Sequence, residues 1–316
     1  MIIHIAKKPP PIGGVTIHVQ RLNKILIENG LDSEVFDYSR SINLNLITKI
    51  LSSNIIHLHV SNKLFRLILT VFFRLLGKKV IITFHGNYNF KKILDKFSLL
   101  FCNHAILLNE YSYDNAKKIS ERKISLVSAF IPPITLHPQT LKANSIKKIE
   151  SLRQHYNYVF CTNAWDISYD EEGKEIYGGS ILVETFSEIT DNALIFSDPK
   201  GNYQSFLSKK YVSLPPNILF IDYIHDFVEV IQSCDALIRA TSTDGDSLSV
   251  HEALFLRKDV ITTNVVNRPN GCILYSDRSE LKNILINFNN LAGKYIQYKY
   301  LDTTNEMMKV YSNLSR

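Results

Sequence analysis

Residues 239–271 read RATSTDGDSLSVHEALFLRKDVITTNVVNRPNG, and this stretch says most about the fold. It begins at the end of an apolar strand and passes through an acidic turn that contains a glycine. It continues as an apolar run of helical type and ends in the β-branched run of residues 259–263. A strand, a turn, a helix and a second strand in this order are the repeating unit of a parallel α/β sheet. The stretch therefore predicts that fold class.

The acidic turn combines two kinds of ligand-binding group. Asp244 stands eight positions before Glu252, and the helical run follows the turn directly. Backbone N–H groups at a helix N-terminus suit a phosphate, whereas carboxylates suit the hydroxyl groups of a sugar. The residues that could hold the phosphate come next in the chain: Gly245, Asp246, Ser247 and Leu248. A turn that can bind phosphate and polyol together predicts a sugar-nucleotide site.

Arg239 ends the strand before the turn, where its guanidinium could contact a phosphate through two hydrogen bonds. The alternative is an ion pair with Asp244 or Asp246. Those two carboxylates could also hold magnesium, but further oxygen ligands do not follow at the spacing of a cation-binding loop, so we expect no metal. Glu252 could instead form a capping box with Ser249.

The composition is that of an ordinary globular protein. With 316 residues, 45% hydrophobic and 21% charged, the chain is long enough for two domains. Its four cysteines lie far apart and form no CxxC pair, which argues against a zinc site or a disulfide framework and fits a reducing compartment. The first apolar run, residues 1–6, is too short for a signal peptide. We therefore expect a cytoplasmic protein.

Charge is distributed unevenly between the two halves. Residues 1–150 contain 21 Lys and Arg and 9 Asp and Glu, a balance of +12, so the total of +6 leaves −6 for residues 151–316. A basic half attached to an acidic half indicates two surfaces with different partners. The basic half could meet a polyphosphate or the anionic lipids on the inner face of the cell membrane. Nucleic acid is the competing partner, but no aromatic-basic motif of the RNA-binding kind is present, so we expect none.

The first half alternates short apolar runs with helical periodicity. The runs predicted as strands are residues 2–6, 33–37, 54–60, 79–84, 104–108 and 124–127. The segments predicted as helices are residues 16–29, 63–76, 90–101 and 110–119. Such alternation predicts a parallel sheet covered by helices on both faces.

The pattern breaks at residues 131–150, which we interpret as a linker, and then restarts. Strands are predicted at residues 158–162, 194–197, 218–221, 236–238 and 260–263. The domains are therefore expected to be residues 1–150 and 151–316, two doubly wound sheets with a ligand cleft between them. The last helix, at about residues 295–316, could cross back to the first domain.

Glycines and histidines mark further candidate positions in the first half. Gly13 and Gly14 separate a strand from a helix, where a phosphate could approach the backbone, although an ordinary turn would look the same. His85 follows a predicted strand at its carboxyl end, where ligands of parallel sheets bind. His18, one turn into the first helix, is a weaker candidate on the acceptor side. His57 and His59 share one strand face, and we interpret them as histidines at the edge of the core because no third metal ligand is evident.

These motifs together resemble those of family 4 glycosyltransferases, which are retaining enzymes of the GT-B class. The spacing of Asp244 and Glu252 matches that family's acidic motif, with aspartate in the first place. The form RAT-x4-DS-x2-V-x-EAL with RPNG downstream most resembles the branch that builds bacterial capsules and other surface polysaccharides. The other matching stretches are PPIGGVTIHVQRL (residues 10–22), TFHG (residues 83–86) and NILFIDYIHDFVEVIQSCDALI (residues 217–238).

The resemblance implies roles for the candidate residues. Glu252 would bind the ribose hydroxyls of the donor nucleotide, and Asp244 with the backbone of residues 245–248 would hold the transferred sugar and the diphosphate. Gly13 and Gly14 would lie beside the diphosphate and the acceptor, and His85 near the donor sugar. The catalytic set is then Asp244, Glu252, His85 and Arg239.

One departure from the family concerns residues 163–179. Family members usually have an arginine and a lysine in this loop that neutralise the leaving diphosphate, and this chain lacks both at the expected places. Arg239 or Lys174 could substitute.

The sequence therefore predicts a retaining, metal-independent glycosyltransferase that needs no cofactor beyond a UDP- or GDP-linked sugar donor. Its acceptor would be a glycan or a sugar on a polyprenyl diphosphate, reached from the inner face of the membrane. Two alternatives stay open, namely a non-catalytic sugar-nucleotide-binding partner of another transferase and a sugar-nucleotide epimerase of the same fold.

Overall fold

The structure is a computed structural model, and it describes residues 1–9, 13–40, 44–133, 140–299 and 303–315. The chain forms two compact units. The first comprises residues 1–134, 245–248 and 301–316, and the second comprises residues 135–244 and 249–300. Each unit is built around its own parallel sheet.

The first unit contains a sheet of six parallel strands in the order β2-β1-β3-β4-β5-β6. These strands are β1 (Ile2–Ala6), β2 (Ser33–Asp37), β3 (Ile55–Leu58), β4 (Lys79–Phe84), β5 (His104–Leu107) and β6 (Ile124–Leu126). The helices that connect them are α1 (Gly14–Glu28), α2 (Leu44–Ser52), α3 (Lys63–Leu75), α4 (Ile93–Phe101) and α5 (Glu110–Lys117). In register, Ile2 of β1 lies opposite Ser33 of β2 and Ile55 of β3.

The expected alternation of the first half is confirmed, with one helix that the sequence analysis did not assign. Helix α2 follows a stretch rich in Ser and Asn, residue types that favour turns and caps, so its short apolar face is hard to recognise. Helix α1 shows the ordinary pattern, because Val19, Leu22 and Leu26 are buried on one side of it.

The second unit contains a second parallel sheet of six strands in the order β12-β11-β10-β7-β8-β9. These are β7 (Tyr158–Asn163), β8 (Asn192–Ser197), β9 (Ile218–Ile221), β10 (Ala236–Arg239), β11 (Asp259–Thr263) and β12 (Cys272–Tyr275). Its helices are α6 (Ala143–His155), α7 (Gly179–Ser187), α8 (Asn202–Lys210), α9 (Phe227–Ser233), α10 (Leu248–Phe255) and α11 (Arg278–Ile286).

Helix α6 occupies the end of the segment that the sequence analysis interprets as a linker, of which residues 134–139 lie outside the described part of the chain. Only Ile149 is fully buried on this helix, so its sequence carries little apolar periodicity. Strand β12, at four residues, was also not predicted.

The last helix, α12 (Thr304–Ser315), is grouped with the first unit. Met307, Val310 and Tyr311 of this helix are buried in the apolar cluster that contains Leu22 and Ile106. No helix in the described ranges has both the length and the apolar content needed to cross a membrane.

Each sheet has a point at which the chain reverses the direction in which it adds strands. In the first sheet this point lies between β1 and β3, and in the second it lies between β7 and β10. Ligands of doubly wound sheets bind at the carboxyl ends of strands beside such a switch point. The residues that follow β1, β3, β7 and β10 are therefore the expected ligand-binding positions.

Candidate functional site

Arg239 lies at the switch point of the second sheet. It is the last residue of β10, and its Nη1 donates to Oδ1 of Asn163, the last residue of β7, at 3.4 Å. Its Nε donates to Asp244 Oδ2 at 3.2 Å, and the guanidinium lies over the ring of Tyr177 at 5.3 Å. The ion-pair alternative for Arg239 is thus present in the structure, at the position where a ligand of this fold would bind.

Asp244 is held by a second arginine that the sequence analysis did not single out. Arg268 Nη1 donates to the same Oδ2 atom at 2.9 Å, and Thr241 Oγ1 donates to it at 3.3 Å. The only signal for Arg268 was the RPNG motif, which carried the resemblance but no assigned role. We call Asp244, Arg239, Arg268 and Thr241 the Asp244 cluster.

Asp244 stays ionised although its side chain is largely enclosed. Its side chain is 9% exposed and that of Arg268 is 3% exposed. Burial alone raises the pKa of Asp244, but the guanidinium groups of Arg239 and Arg268 outweigh this effect and lower the pKa from 3.8 to about 2. The Asp244 cluster therefore contains one carboxylate and two cations, a surplus of positive charge suited to an anionic ligand.

The second carboxylate of the acidic turn has different partners. Asp246 Oδ2 accepts from Ser128 Oγ at 2.6 Å and from the backbone N–H of Ala129 at 2.7 Å, all within the first unit. Asp244 thus pairs with arginines, whereas Asp246 accepts from a hydroxyl and a backbone N–H.

Gly245 lies against another backbone. A Cβ atom at this position would come within 3.2 Å of Gly86 Cα, which is tighter than ordinary packing allows. Gly86 directly follows His85, the candidate at the carboxyl end of β4. The glycine between the two aspartates is thus required by a close approach of main chains.

Glu252 lies in helix α10 and is 6% exposed. The helix begins at Leu248, so Ser249 is already inside its first turn and Glu252 lies beyond the third helical position. A capping box needs the glutamate at that third position, which argues against the structural alternative for Glu252. Ser247, just before the helix, and Leu248, its first residue, are buried as well.

In the first unit, Gly13 and Gly14 lie at the start of helix α1, and residues 10–12, which precede them, lie outside the described part of the chain. Gly13 is the N-cap residue, and its N–H donates to Thr16 Oγ1 at 3.1 Å. Among the described residues, no atom lies within 4 Å of a Cβ built on Gly13, and the nearest to one on Gly14 is Leu248 Cβ at 3.9 Å. Described side chains therefore do not crowd the Cα atoms of these two glycines.

Five histidines from two strands, two strand ends and one helix gather in the first unit, and we call them the histidine cluster: His4, His18, His57, His59 and His85. Their rings lie 4.1 to 5.8 Å apart between neighbouring centroids. Burial, followed by the proximity of the other histidines, lowers the pKa of His4 from 6.5 to about 3 and that of His57, His59 and His85 well below 6.5. The cluster is therefore uncharged at neutral pH.

Hydrogen bonds fix which nitrogen carries the proton in three of these neutral rings. Ser33 Oγ donates to Asn23 Oδ1 at 2.9 Å, so it accepts from His4 Nε2 at 3.2 Å. His4 Nδ1 then accepts from His59 Nε2 at 3.2 Å, and His59 Nδ1 accepts from His85 Nε2 at 3.0 Å. By this chain of donors His85 keeps its proton on Nε2 and carries a lone pair on Nδ1.

The interpretation of His57 and His59 as histidines without a third ligand is corrected by the structure. His4 joins them, and His18 with His85 forms a second group around His59, with ligand atoms within 4.8 Å in each group. His57 nevertheless uses both nitrogens on hydroxyl groups, Nδ1 with Tyr311 at 2.6 Å and Nε2 with Thr83 at 2.7 Å. Hydrogen bonds within the protein thus satisfy His4 and His57, which favours a hydrogen-bonded network over a metal site.

His18, the weak acceptor-side candidate, is completely buried. Its Nδ1 donates to the carbonyl of Ala129 at 2.7 Å, and its Nε2 has no hydrogen-bond partner among the described residues. The side chain thus faces the interior of the first unit.

The loop of residues 163–179 lacks the expected arginine and lysine, and the structure shows what its charged residue does instead. Lys174 is exposed and pairs with Glu172 at 2.9 Å. Gly178 has a φ of 60°, and a Cβ there would overlap the carbonyl oxygen of Ala240. The loop therefore packs closely against the residue that follows Arg239.

No family model matches the chain, and no curated protein matches it. Solved structures match it along its length. HepE of Anabaena in complex with UDP and glucose superposes with a TM-score of 0.70 at 12% identity and 99% coverage of both chains. Sucrose-phosphate synthase of Thermosynechococcus elongatus gives 0.71 at 14% identity, covering 99% of this chain and 98% of the other. The lipopolysaccharide outer core galactosyltransferase WaaB gives 0.61 at 13% identity, covering 99% and 98%. The shared feature is the GT-B fold of two doubly wound parallel sheets, as the sequence predicted.

Proposed function

We propose that the chain is a retaining glycosyltransferase that moves a sugar from a nucleotide diphosphate to a glycan or a polyprenyl-diphosphate-linked acceptor, in the synthesis of a surface polysaccharide. The observation that carries the proposal is the Asp244 cluster, in which two largely enclosed arginines pair with one carboxylate at the switch point of the second sheet. The likeness to structures that hold UDP and glucose, and to a lipopolysaccharide galactosyltransferase, supports the same substrate class.

In this proposal the donor is bound by the acidic turn and the start of helix α10. Glu252 accepts hydrogen bonds from the ribose hydroxyls, and Arg239 donates to the diphosphate. The backbone of residues 245–248 supplies N–H groups at the start of helix α10. Arg239 takes over the role of the missing loop cations at the diphosphate, and Arg268 keeps Asp244 paired when Arg239 turns towards the phosphate.

Sugar transfer of this kind develops positive charge on the sugar and negative charge on the leaving diphosphate. The surplus positive charge of the Asp244 cluster stabilises the leaving group without a metal ion or another cofactor. We expect attack from the same face as the departing diphosphate, with that diphosphate taking the acceptor's proton. In this proposal the Nδ1 lone pair of His85 accepts a hydrogen bond from a hydroxyl of the donor sugar. Detection of a covalent sugar adduct on the protein would contradict this attack from the same face.

The acceptor is assigned to the first unit, beside Gly13 and Gly14 at the start of helix α1. The first 150 residues carry a surplus of 21 − 9 = 12 positive charges, which suits a lipid diphosphate and the anionic inner face of the cell membrane. We propose a cytoplasmic protein that contacts this membrane peripherally and does not bind nucleic acid.

The test is a thermal-shift panel of UDP, GDP, ADP and their common sugar conjugates. A ligand at 100 times its dissociation constant adds about 2.7 kcal/mol of stability. We expect a shift with UDP or GDP compounds that is lost in Glu252→Gln, a variant that preserves side-chain size, and kept in Glu150→Gln on the exposed face of α6. No shift with any nucleotide would contradict the proposed donor site.

A second candidate is a non-catalytic partner that binds sugar nucleotide, or another transferase, without turnover. The observation in its favour is that both arginines of the Asp244 cluster already pair with Asp244, while Lys174 pairs with Glu172. Turnover of the donor in the presence of acceptor separates the two, because the partner hypothesis predicts nucleotide binding without release of nucleoside diphosphate.

A further inference from the structure

Helices α3 and α4 of the first unit each expose a stripe of large apolar side chains. On α3 the stripe follows helical spacing through Leu64, Ile68, Phe72 and Leu75, which are 55, 54, 51 and 82% exposed. On α4 the same spacing links the exposed residues Ile93, Phe97, Leu100 and Phe101. The two helices pack against each other, so the stripes are neighbours.

This concentration is unusual within the molecule. Together with Phe65 and Leu76, these stripes hold 10 of the 24 exposed large apolar side chains among the described residues. We call the ten residues the α3–α4 surface. In the second unit such residues are scattered over separate elements, for example Ile181 on α7 and Ile286 on α11. Contiguous exposed apolar groups of this kind mark an interaction site.

The charge around the α3–α4 surface has one sign. Residues 61–101 contain eight Lys and Arg and one Asp, a balance of +7. The single acid, Asp95, is buried and pairs with Arg66 and Lys63. The cations that are exposed or half-exposed are Lys63, Arg74, Lys78, Lys79, Lys91, Lys92 and Lys96. The outward charge of this segment is thus wholly positive.

A buried ion pair holds helices α3 and α4 against each other. The buried guanidinium of Arg66 on α3 joins Asp95 on α4, donates to the Val60 carbonyl at 3.2 Å and to the Tyr88 hydroxyl at 3.3 Å, and lies over the Phe84 ring at 4.8 Å. A buried ion pair with these additional hydrogen bonds fixes one helix to the other. The two stripes therefore form one surface without any rearrangement.

The length, charge and apolar content of the α3–α4 surface favour one kind of partner over the others. A helix of 13 residues is about 20 Å long, too short to span a bilayer of about 30 Å. A second copy of this chain would bring the same positive charge against itself across a two-fold interface. A layer that offers hydrocarbon beneath negative head groups satisfies both the apolar stripes and the surrounding cations.

We infer that the α3–α4 surface docks on an anionic phospholipid bilayer, with its apolar side chains inserted among the head groups and its lysines on the lipid phosphates. The inference deepens the proposed membrane contact and rests on that part of the proposed function. Binding to vesicles is measured without donor or acceptor, so the docking face and the transferase activity can fail separately.

The experiment is flotation of the full chain with vesicles of phosphatidylcholine alone or of equal parts phosphatidylcholine and phosphatidylglycerol. The apolar variant is Ile68→Ser with Phe72→Ser, matched by Ile181→Ser with Ile286→Ser in the second unit. The charge variant is Lys91→Glu with Lys96→Glu, matched by Lys147→Glu with Lys148→Glu on α6. Each substituted residue is partly or fully exposed, and thermal melting checks that every variant is folded.

The wild-type chain is expected to float with the anionic vesicles and to bind neutral vesicles at least about tenfold more weakly. Both surface variants should lose about tenfold or more of the partition coefficient, and both matched controls should keep it. Wild-type flotation that the surface variants leave unchanged overturns the inference, as does no flotation at all. A wild-type dimer in sedimentation that the apolar variant converts to a monomer overturns it as well, because the face is then a contact between copies. Turnover with a detergent-solubilised acceptor reports separately on the proposed function.

Discussion

The two sheets collect buried polar groups near their carboxyl ends, but burial has opposite results in the two places. In the histidine cluster of the first unit, burial removes charge, so that the pKa of His4 falls to about 3 and the ring is neutral. In the Asp244 cluster of the second unit, charge persists, with the pKa of Asp244 at about 2. The same fold thus presents one neutral and one ionised site.

The difference follows from the neighbours of each group. The charged forms of the histidines would face mainly other histidines, which adds to the cost of desolvation. Asp244 faces two guanidinium groups, whose attraction exceeds the desolvation cost. A buried site in this fold is therefore charged where opposite charges reach it and neutral where only hydrogen-bond partners do. Neutral rings suit sugar hydroxyls, and the arginines suit a diphosphate.

The largest expected effect is a different acid sensitivity of the two units. A histidine whose folded pKa is lowered binds its proton only in the unfolded state, so stability is lost as pH falls from 6.5 towards the folded value, about 3 for His4. Each such group loses at most roughly 1.4 kcal/mol of stability per pH unit within this window, and several buried histidines in one unit share in this loss. Asp244 contributes stability that is lost only as pH falls from 3.8 towards 2. The first unit should therefore unfold first.

The single tryptophan, Trp165, lies in the second unit and allows the comparison to be measured. During acid titration, far-ultraviolet circular dichroism should change before Trp165 fluorescence does. A variant without Trp165, Trp165→Phe, provides the fluorescence baseline. If circular dichroism stays native down to about pH 4, the pKa of the histidines is not lowered as the structure indicates.

The next effect concerns the ionised site. Asp244→Asn leaves Arg239 and Arg268 buried without their carboxylate and should destabilise the second unit by about 3–5 kcal/mol. The matched control is Asp166→Asn, because Asp166 pairs with Lys200 and both side chains are about 40% exposed. That change should cost at most about 1 kcal/mol. Urea unfolding followed by Trp165 fluorescence measures both, and equal costs would show that burial does not distinguish the two pairs.

The sequence predicts the alternation of strands and helices because each buried strand is a short apolar run and most helices have an apolar face. It also predicts the acidic turn at the end of β10, since Arg239, Asp244 and Glu252 lie within one strand-turn-helix unit. Arg268 could not be placed on Asp244 in this way, because it lies 24 residues further along the chain, beyond β11. The histidine cluster could not be predicted either. Its members come from four segments, namely β1, α1, β3 with its end and the end of β4, which the strand order β1-β3-β4 helps to bring together.

A smaller effect is expected from removing one partner of the neutral site. Tyr311→Phe deletes the hydroxyl bonded to His57 Nδ1 at 2.6 Å and leaves a buried ring nitrogen without that partner. The expected loss of stability is about 1–3 kcal/mol. Tyr111→Phe in the same unit is the control, since Tyr111 is 53% exposed and should be replaced without measurable loss. Urea unfolding followed by circular dichroism compares the two, and a neutral Tyr311→Phe would show that His57 does not depend on that bond.

The smallest effect separates a neutral hydrogen-bonded cluster from a metal site. Bound zinc would need histidine nitrogens as ligands, but His4 and His57 already use both of theirs within the protein, and His59 uses both on His4 and His85. Exhaustive treatment with a chelator should therefore leave the melting temperature and the donor turnover unchanged, and added zinc should raise neither. If the chelator lowers the melting temperature and zinc restores it, then His18 Nε2, which has no hydrogen-bond partner among the described residues, is a zinc ligand, and the first site carries charge like the second. The contrast between the two sheets would then be one of ion type, with a cation held by neutral rings in one unit and a carboxylate held by arginines in the other.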